Sequence, residues 1–259
     1  MFSRLSLPPL LFLLSINLPA QTPPPSDPQA LSYAAQSIAA MTGGKTMIDL
    51  TLTGNATWNG NDTGTATLKA LGTGESRMDL ALSSGTRSEI RDAQTGSPIG
   101  QWTNPNKSKG LFASQNCSTD PVWFFPARGS LAAGPNVVLS YVGQETRDDG
   151  TNVQHLQSYV YQANWPAGVL PTGQQLSTMD IYLDSTTLVP ISVAFNAHPD
   201  KDAATNLLIE VDFANYQNVN GALVPMHIQR YSQGNLQLDL TVTGVSFNTG
   251  LSLSDFTVN

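Results

Sequence analysis

The sequence predicts a predominantly β-sheet protein of the α+β class, in which one helix near the amino terminus precedes a series of antiparallel strands. Two observations carry this prediction. Apolar and polar residues alternate with a period of two over most of the chain from residue 46 onward, whereas a helical period of 3.6 stands out only between residues 28 and 43. Charged residues make up only 12% of the chain. Its polar character comes instead from Thr, Ser, Asn, Gln and Gly, which suit the solvated face of a sheet.

The first twenty residues have the layout of a secretory signal peptide. Arg4 supplies a positive charge, residues 5–18 form an uncharged apolar run, and Ala20 is a small residue at which a signal peptidase could cut. The apolar run is shorter than the roughly 20 residues that span a bilayer, and no cysteine lies near the cleavage point to carry a lipid anchor. We therefore expect residues 1–20 to be removed and residues 21–259 to form one domain. The mature protein is then periplasmic or extracellular, with no transmembrane segment.

Charge and cysteine content exclude several classes of protein. The formal net charge is −7 and the isoelectric point is about 4.7, so the chain lacks the basic surface that binding to nucleic acid phosphates requires. Cys117 is the only cysteine, which excludes an intramolecular disulfide framework and a zinc site built from thiolates. Stability must therefore come from an ordinary apolar core.

A helix is predicted to begin at Asp27-Pro28 and to end before Gly43. Asp27 can cap the free amides of the first turn, and Pro28 suits the first helical position, where no amide partner is missing. Four apolar residues at positions i, i+3, i+4 and i+7 form the predicted packing stripe: Leu31, Ala34, Ala35 and Ile38. A helix of this kind needs a sheet against which to bury that stripe.

A meander of antiparallel strands is predicted after the helix. Asn59-Gly60 is a strong hairpin-turn signal, and Ser84-Gly85 marks a second turn. The alternating apolar positions of the strands around these turns are Ile48, Leu50, Leu52, Ala66, Leu68, Ala70, Met78, Leu80 and Leu82.

The stretch from Thr95 to Asn136 breaks the alternation, because it contains five prolines and five aromatic residues. We expect a loop with short helices there. Two interpretations of its aromatic residues stay open. They either fill one end of the core or, in the case of Trp123-Phe124-Phe125, lie at the mouth of a cavity as a plug or lid.

Strands resume at Val137 and continue to Phe247, with turns such as Asp148-Asp149-Gly150 and Gln233-Gly234 between them. No change in composition marks a second domain. The clearest alternations of this part are at Met179, Ile181, Leu183, Leu207, Ile209, Val211, Phe213, Leu236, Leu238, Leu240 and Val242.

Motifs in the last third resemble a known family. They are Ser177 to Asp184 (STMDIYLD) with the following Leu188-Val189-Pro190, the stretch from Val211 to Pro225 (VDFANYQNVNGALVP), and the terminal Asp255-Phe256. This pattern is similar to that of the periplasmic lipoprotein carriers and their relatives, the LolA/LolB-like group. The N-terminal half resembles the group only in the order of its elements.

The resemblance implies a curved, incomplete antiparallel β-barrel wrapped around the N-terminal helix and short central helices. Its concave side forms an apolar cavity that can hold acyl chains. The family's carriers also use a basic residue near the cavity mouth, and no arginine of this sequence can be matched to it. We hypothesise a binding protein for an apolar small molecule, a lipid or the acyl chain of a lipoprotein. The alternative is a non-enzymatic envelope sensor or protein-interaction domain with a filled core, binding another envelope protein.

The residues predicted to line the cavity are those on the inward faces of the strands, together with two aromatic residues near the mouth. They are Ile48, Leu50, Leu52, Met78, Leu80, Leu82, Trp123, Phe124, Met179, Ile181 and Leu183.

No pattern in the sequence indicates catalysis. His155, His198 and His227 lack the spacing of metal ligands, and no base can be named for Cys117. Neither a Gly-x-Ser-x-Gly elbow nor a glycine-rich phosphate loop occurs. We therefore predict that the protein is not an enzyme and has no catalytic residues, metal or cofactor.

Overall fold

The computed structural model describes residues 22, 24–92, 98–114, 116–119, 136–161, 168–199 and 201–258. These residues contain a single antiparallel sheet of thirteen strands. The strands are β1 (Asp49–Trp58), β2 (Asp62–Leu71), β3 (Ser76–Leu82), β4 (Gly85–Asp92), β5 (Ile99–Thr103), β6 (Lys109–Phe112), β7 (Val137–Thr146), β8 (Asn152–Val160), β9 (Met179–Asp184), β10 (Pro190–Ala197), β11 (Leu207–Val219), β12 (Ala222–Ser232) and β13 (Asn235–Phe247). The helices are α1 (Pro28–Thr42), α2 (Asn116–Thr119), α3 (Leu170–Ser177) and a 3₁₀ turn (Leu253–Phe256).

The strand order shows how the chain builds an open half-barrel. The sheet runs β6-β5-β4-β3-β2-β1-β13-β12-β11-β10-β9-β8-β7, so every neighbouring pair is consecutive in sequence except β1 and β13. That pair joins the two halves of the chain, with Leu50 opposite Phe247 and Trp58 opposite Leu238. The end strands β6 and β7 are not hydrogen-bonded to each other in the described sheet. The predicted fold, a mainly β, incomplete antiparallel barrel with few helices, is confirmed.

Helix α1 begins and ends where the sequence predicts. The Asp27 carboxylate accepts a hydrogen bond from the amide of Gln29 at 2.7 Å, and Gly43 ends the helix with a φ of 59°, a left-handed conformation that suits glycine. The helix lies against β7 and β12. It therefore covers part of the sheet in the second half of the chain.

The predicted packing stripe of α1 is only half right. Ala34 is buried and Ile38 packs against the core, but Leu31 is 39% exposed and Ala35 is also exposed. The buried residues of the helix are Ala30, Ala34, Ser37, Met41 and Thr42. Most of them are small, which lets the helix backbone approach the sheet closely.

The prediction of a loop over residues 95–136 is partly wrong. Residues 99–112 form the hairpin of β5 and β6, and α2 is a short helix as expected. Pro105 does not interrupt pairing because it lies in the turn, where the amide of Asn104 donates to the carbonyl of Ser108 at 2.8 Å. Trp123, Phe124 and Phe125 lie outside the described residues, so both interpretations of them stay open. Helix α3 was not predicted.

Candidate functional site

The candidate site is the inner face of the half-barrel, which we define as the side of the sheet that carries the apolar alternation. Register aligns these positions across neighbouring strands: Leu52 lies opposite Leu68, and Leu68 lies opposite Met78. On the other half of the sheet, Ile181 and Val211 both lie opposite Val193. Because side chains alternate between the two faces of a strand, these rows build one continuous apolar surface, and its members belong to a single buried cluster.

Eight of the predicted cavity residues lie in this cluster and are buried. They are Leu50, Leu52, Met78, Leu80, Leu82, Met179, Ile181 and Leu183. Trp123 and Phe124 lie outside the described residues, so their predicted place at the mouth stays a prediction.

Ile48 corrects the predicted set. It is 61% exposed, although it continues the alternation of Leu50 and Leu52. Strand β1 begins only at Asp49, and the amide of Ile48 donates to the side chain of Asn248 at 2.7 Å. The chain before β1 is therefore held by the C-terminal segment instead of continuing along the inner face.

A buried group of charges interrupts the apolar lining at β4. Glu89 lies opposite Met78, and Arg91 lies opposite Ser76, so both side chains point to the inner face. Glu89 forms ion pairs with Arg87 at 2.7 Å and Arg91 at 3.0 Å. From across the interior comes Arg230 of β12, which lies opposite Val211 and Leu238 on the same face. We call Arg87, Glu89, Arg91 and Arg230 the inner charge cluster.

Electrostatics and aromatic contacts hold this cluster together. Burial raises the pKa of Glu89, but attraction to Arg91, Arg87 and Arg230 outweighs burial and lowers the pKa to about 2. The guanidinium of Arg87 lies 4.2 Å from the ring centroid of Trp58, and that of Arg91 lies 4.2 Å from the ring centroid of Phe112. The carboxylate of Glu89 is therefore ionised, and the arginine side chains are held against aromatic rings.

Sequence reasoning missed the inner charge cluster. The signal was present in β4, where Arg87, Glu89 and Arg91 keep the same two-residue spacing as the apolar positions of β3. Charged residues at this spacing usually face solvent, so alternation alone places them on the outer face. Chemically, the inner face thus combines a long apolar surface with arginines that come from both halves of the sheet.

The outer face carries a second group of polar residues, around His155. The imidazole lies between two carboxylates, with Nδ1 2.6 Å from Glu145 and Nε2 2.9 Å from Asp180, and it stacks on Tyr182 with a centroid distance of 4.5 Å. Burial lowers the pKa of His155, but the hydrogen bonds to Asp180 and Glu145 outweigh burial and raise the pKa above its ordinary value. Glu145, Asp180 and Tyr182 of this group also line an open cavity of about 590 Å³. Half of the residues that line the cavity are acidic, and Arg147 lines it as well.

The other histidines occupy separate places. His198 is buried, with Nδ1 3.1 Å from the carbonyl of Thr205, and His227 pairs with Asp239 at 2.9 Å. Within the described part of the chain, no three His, Cys, Asp or Glu side chains are grouped to hold a metal ion. No helix in that part is both long and apolar enough to cross a bilayer.

Comparison with known proteins shows the fold of this chain. No family model matches the sequence, and no curated protein matches it. Among solved structures, it is similar to an outer membrane lipoprotein-sorting protein domain from Vibrio parahaemolyticus, with a TM-score of 0.54 and 16% identity over 88% of this chain and 96% of that one. A LolA superfamily protein from Nitrosomonas europaea gives a TM-score of 0.50 and 11% identity over 88% and 97% of the respective chains. The chain therefore has a LolA-like fold.

Proposed function

We propose that this protein, whose fold is LolA-like, binds an apolar ligand, a lipid or an acyl chain, on the inner face of its half-barrel. The proposed role is non-catalytic and belongs to the periplasm or the extracellular space. One observation carries the proposal: buried apolar side chains continue from strand to strand across the inner face of an open sheet. A curved sheet with one apolar face either packs on its own helices or leaves room for an apolar ligand.

The fold comparison supports the choice of ligand. The similar domain from Vibrio parahaemolyticus is described as a lipoprotein-sorting protein domain, and a lipoprotein is sorted with its acyl chains attached. An acyl chain also suits the chemistry of the site, because burial of each methylene group stabilises a complex by about 0.8 kcal/mol without requiring a directional contact. Leu52, Leu80 and Ile181, which are fully buried on this face, could make only such non-directional contacts with a ligand.

The first test is native mass spectrometry of the mature protein purified from its own envelope, followed by organic extraction. A co-purifying lipid or acyl species supports the proposal and identifies the ligand class. A ligand-free mass that stays unchanged after exposure to lipid vesicles contradicts it. That result favours the alternative of a filled core and a role in protein interaction, since the described inner-face residues are already buried.

A pair of variants on β3 connects lipid uptake to the inner face. Leu80 is fully buried on that face, and its neighbour Ala81 is exposed on the other. We expect Leu80→Trp to reduce lipid uptake because the larger ring fills space on the inner face, and Ala81→Trp to leave uptake unchanged. Circular dichroism melting of both variants confirms that each is folded. Unchanged uptake by a folded Leu80→Trp variant would count against the inner face as the site.

A further inference from the structure

The two ends of the open sheet differ in how their hydrogen-bonding groups are used. At the β7 end, the carbonyl of Leu139 accepts from the amide of Asp27 at 2.8 Å, and the amide of Leu139 donates to the Ser26 hydroxyl at 3.0 Å. The segment that leads into α1 thus covers part of this edge. An exposed edge strand, in contrast, presents a row of backbone groups that can pair with another chain.

The β6 end has its outward backbone groups at Lys109 and Leu111. In an antiparallel pair, residues alternate between those that bond to the partner strand and those that point away from it. The bond between Asn104 and Ser108 fixes this alternation, and the register then makes Gly110 and Phe112 the residues that bond to β5. The amides and carbonyls of Lys109 and Leu111 consequently point away from the sheet.

The side chains around these groups are exposed and apolar or basic. Leu111 is 64% exposed, and Ile99, diagonal to it on the neighbouring strand, is 45% exposed. Lys107 and Lys109 are also exposed. Lys107 precedes β6 and Lys109 is its first residue, so two of the five lysines of an acidic chain lie at this four-residue strand. Neither forms an ion pair with a described residue.

We propose that β6 is a docking edge for an acidic, extended segment of another polypeptide, which adds a strand to the sheet. The backbone of the incoming segment pairs with the outward groups of Lys109 and Leu111, and this pairing supplies affinity. On the outer face, an acidic side chain of the segment lies beside Lys109 and an apolar one lies beside Leu111. This interaction is separate from ligand binding on the inner face.

Charge selects this occupant over a second copy of the chain. Pairing β6 with β6 of another copy brings the lysines of both strands together, and like charges on neighbouring strands are destabilising. Lysines on an edge strand therefore oppose self-association, while the same lysines attract a carboxylate-bearing partner. The exposed Leu111 offers apolar contact area that a purely protective edge would lack.

Isothermal titration with a defined probe tests the proposal. The probe is an end-capped eight-residue peptide with threonine at every second position. The positions between the threonines, which share one face of the extended peptide, carry glutamate and valine in turn. The control peptide has lysine in place of glutamate. We expect the wild-type protein to bind the acidic peptide, to bind it more weakly as salt is raised, and not to bind the lysine peptide. Absence of binding by the acidic peptide would overturn the proposal.

Three variants place the binding at β6. Lys109→Glu should weaken binding roughly tenfold, because it replaces attraction by repulsion, whereas Lys201→Glu makes the same charge change at another exposed lysine and should have no effect. Leu111→Pro removes an outward amide without touching the bonds to β5 and should abolish binding. Equal weakening by Lys109→Glu and Lys201→Glu would show a general charge effect and would also overturn the proposal.

Discussion

Glu89 and Arg230 interact across the interior of the half-barrel, although four strands, β3, β2, β1 and β13, separate their own strands in the sheet. Because four strands lie between them, only curvature of the sheet can bring Arg230 near enough to lower the pKa of Glu89. Glu89 is buried and Arg230 is half-buried, and desolvation of such charges is costly unless they are paired. Substitutions in the inner charge cluster should therefore affect the stability of the half-barrel strongly.

Removing the charge of Glu89 should destabilise the protein strongly. Glu89→Gln keeps the size of the side chain but takes the carboxylate away from Arg87 and Arg91, and breaking a buried ion pair in this way costs about 3–5 kcal/mol. Urea denaturation measures the loss of unfolding free energy. The control Glu210→Gln removes a carboxylate from a more exposed pair with Arg147 and should cost less than about 1 kcal/mol. Similar losses in the two variants would contradict the assigned burial of the cluster.

The same carboxylate predicts a pH dependence of stability. In the folded protein the pKa of Glu89 is lowered from 4.5 to about 2, so the stabilisation is complete above pH 4.5 and is lost as the pH falls toward 2. We expect Glu89 to account for about 3 kcal/mol of unfolding free energy across this interval. Denaturant titrations between pH 5 and pH 2 measure it, with Glu89→Gln as the reference. A variant with the same acid sensitivity as the wild type would contradict the assignment.

The alternation of the sequence predicted most of the inner face because it is a local property of each strand. Leu52, Leu80 and Ile181 face inward as their two-residue spacing indicates. The same rule also holds for Val245 and Phe247, whose phase differs from that of Val242 because a β-bulge shifts the register between β1 and β13.

What the sequence could not supply are relationships between distant segments. Arg230 and Glu89 meet only because the sheet curves, and nothing near either residue in sequence indicates the other. Ile48 was misplaced for a similar reason. The side chain of its neighbour Asp49 binds the C-terminal segment, which directs the chain away from the inner face before β1 begins.

Asp49 should be essential for holding that C-terminal segment. Its buried carboxylate accepts hydrogen bonds from the amides of Thr249 at 2.8 Å, Gly250 at 2.8 Å and Leu251 at 3.1 Å. Asp49→Ala leaves these donors without an acceptor, and we expect a loss of about 2–4 kcal/mol in unfolding free energy. Hydrogen exchange should accelerate at residues 249–251. Asp202→Ala is the control, because it removes a carboxylate that accepts comparable hydrogen bonds in an exposed loop. It should cost less stability than Asp49→Ala and leave the exchange at residues 249–251 unchanged.

Ile48 and Leu50 provide a direct test of where the inner face begins. Leu50→Ala removes a side chain that is almost fully buried and should cost about 2–5 kcal/mol of unfolding free energy. Ile48→Ala removes an exposed side chain and should change stability by less than about 0.5 kcal/mol. Urea denaturation of the two variants measures both effects. A large loss of unfolding free energy in Ile48→Ala would instead support the placement of Ile48 on the inner face that alternation predicts.

His155 should make the outer face sensitive to pH in the opposite direction from Glu89. The protonated imidazole donates to both Glu145 and Asp180, whereas the neutral ring has only one donor. Because the pKa of His155 is raised in the folded protein, its contribution is complete below the ordinary value of 6.5 and is lost as the pH rises through the raised value. We expect His155→Gln to remove this contribution, on the order of 2 kcal/mol at low pH. The difference in unfolding free energy between wild type and variant, measured at pH 5.5 and pH 9, should therefore shrink on going to the higher pH. His227→Gln serves as the control, because it changes a histidine with one carboxylate partner.

A difference in unfolding free energy between wild type and His155→Gln that is the same at both pH values would contradict the prediction. It would show that the second hydrogen bond of His155 does not depend on protonation.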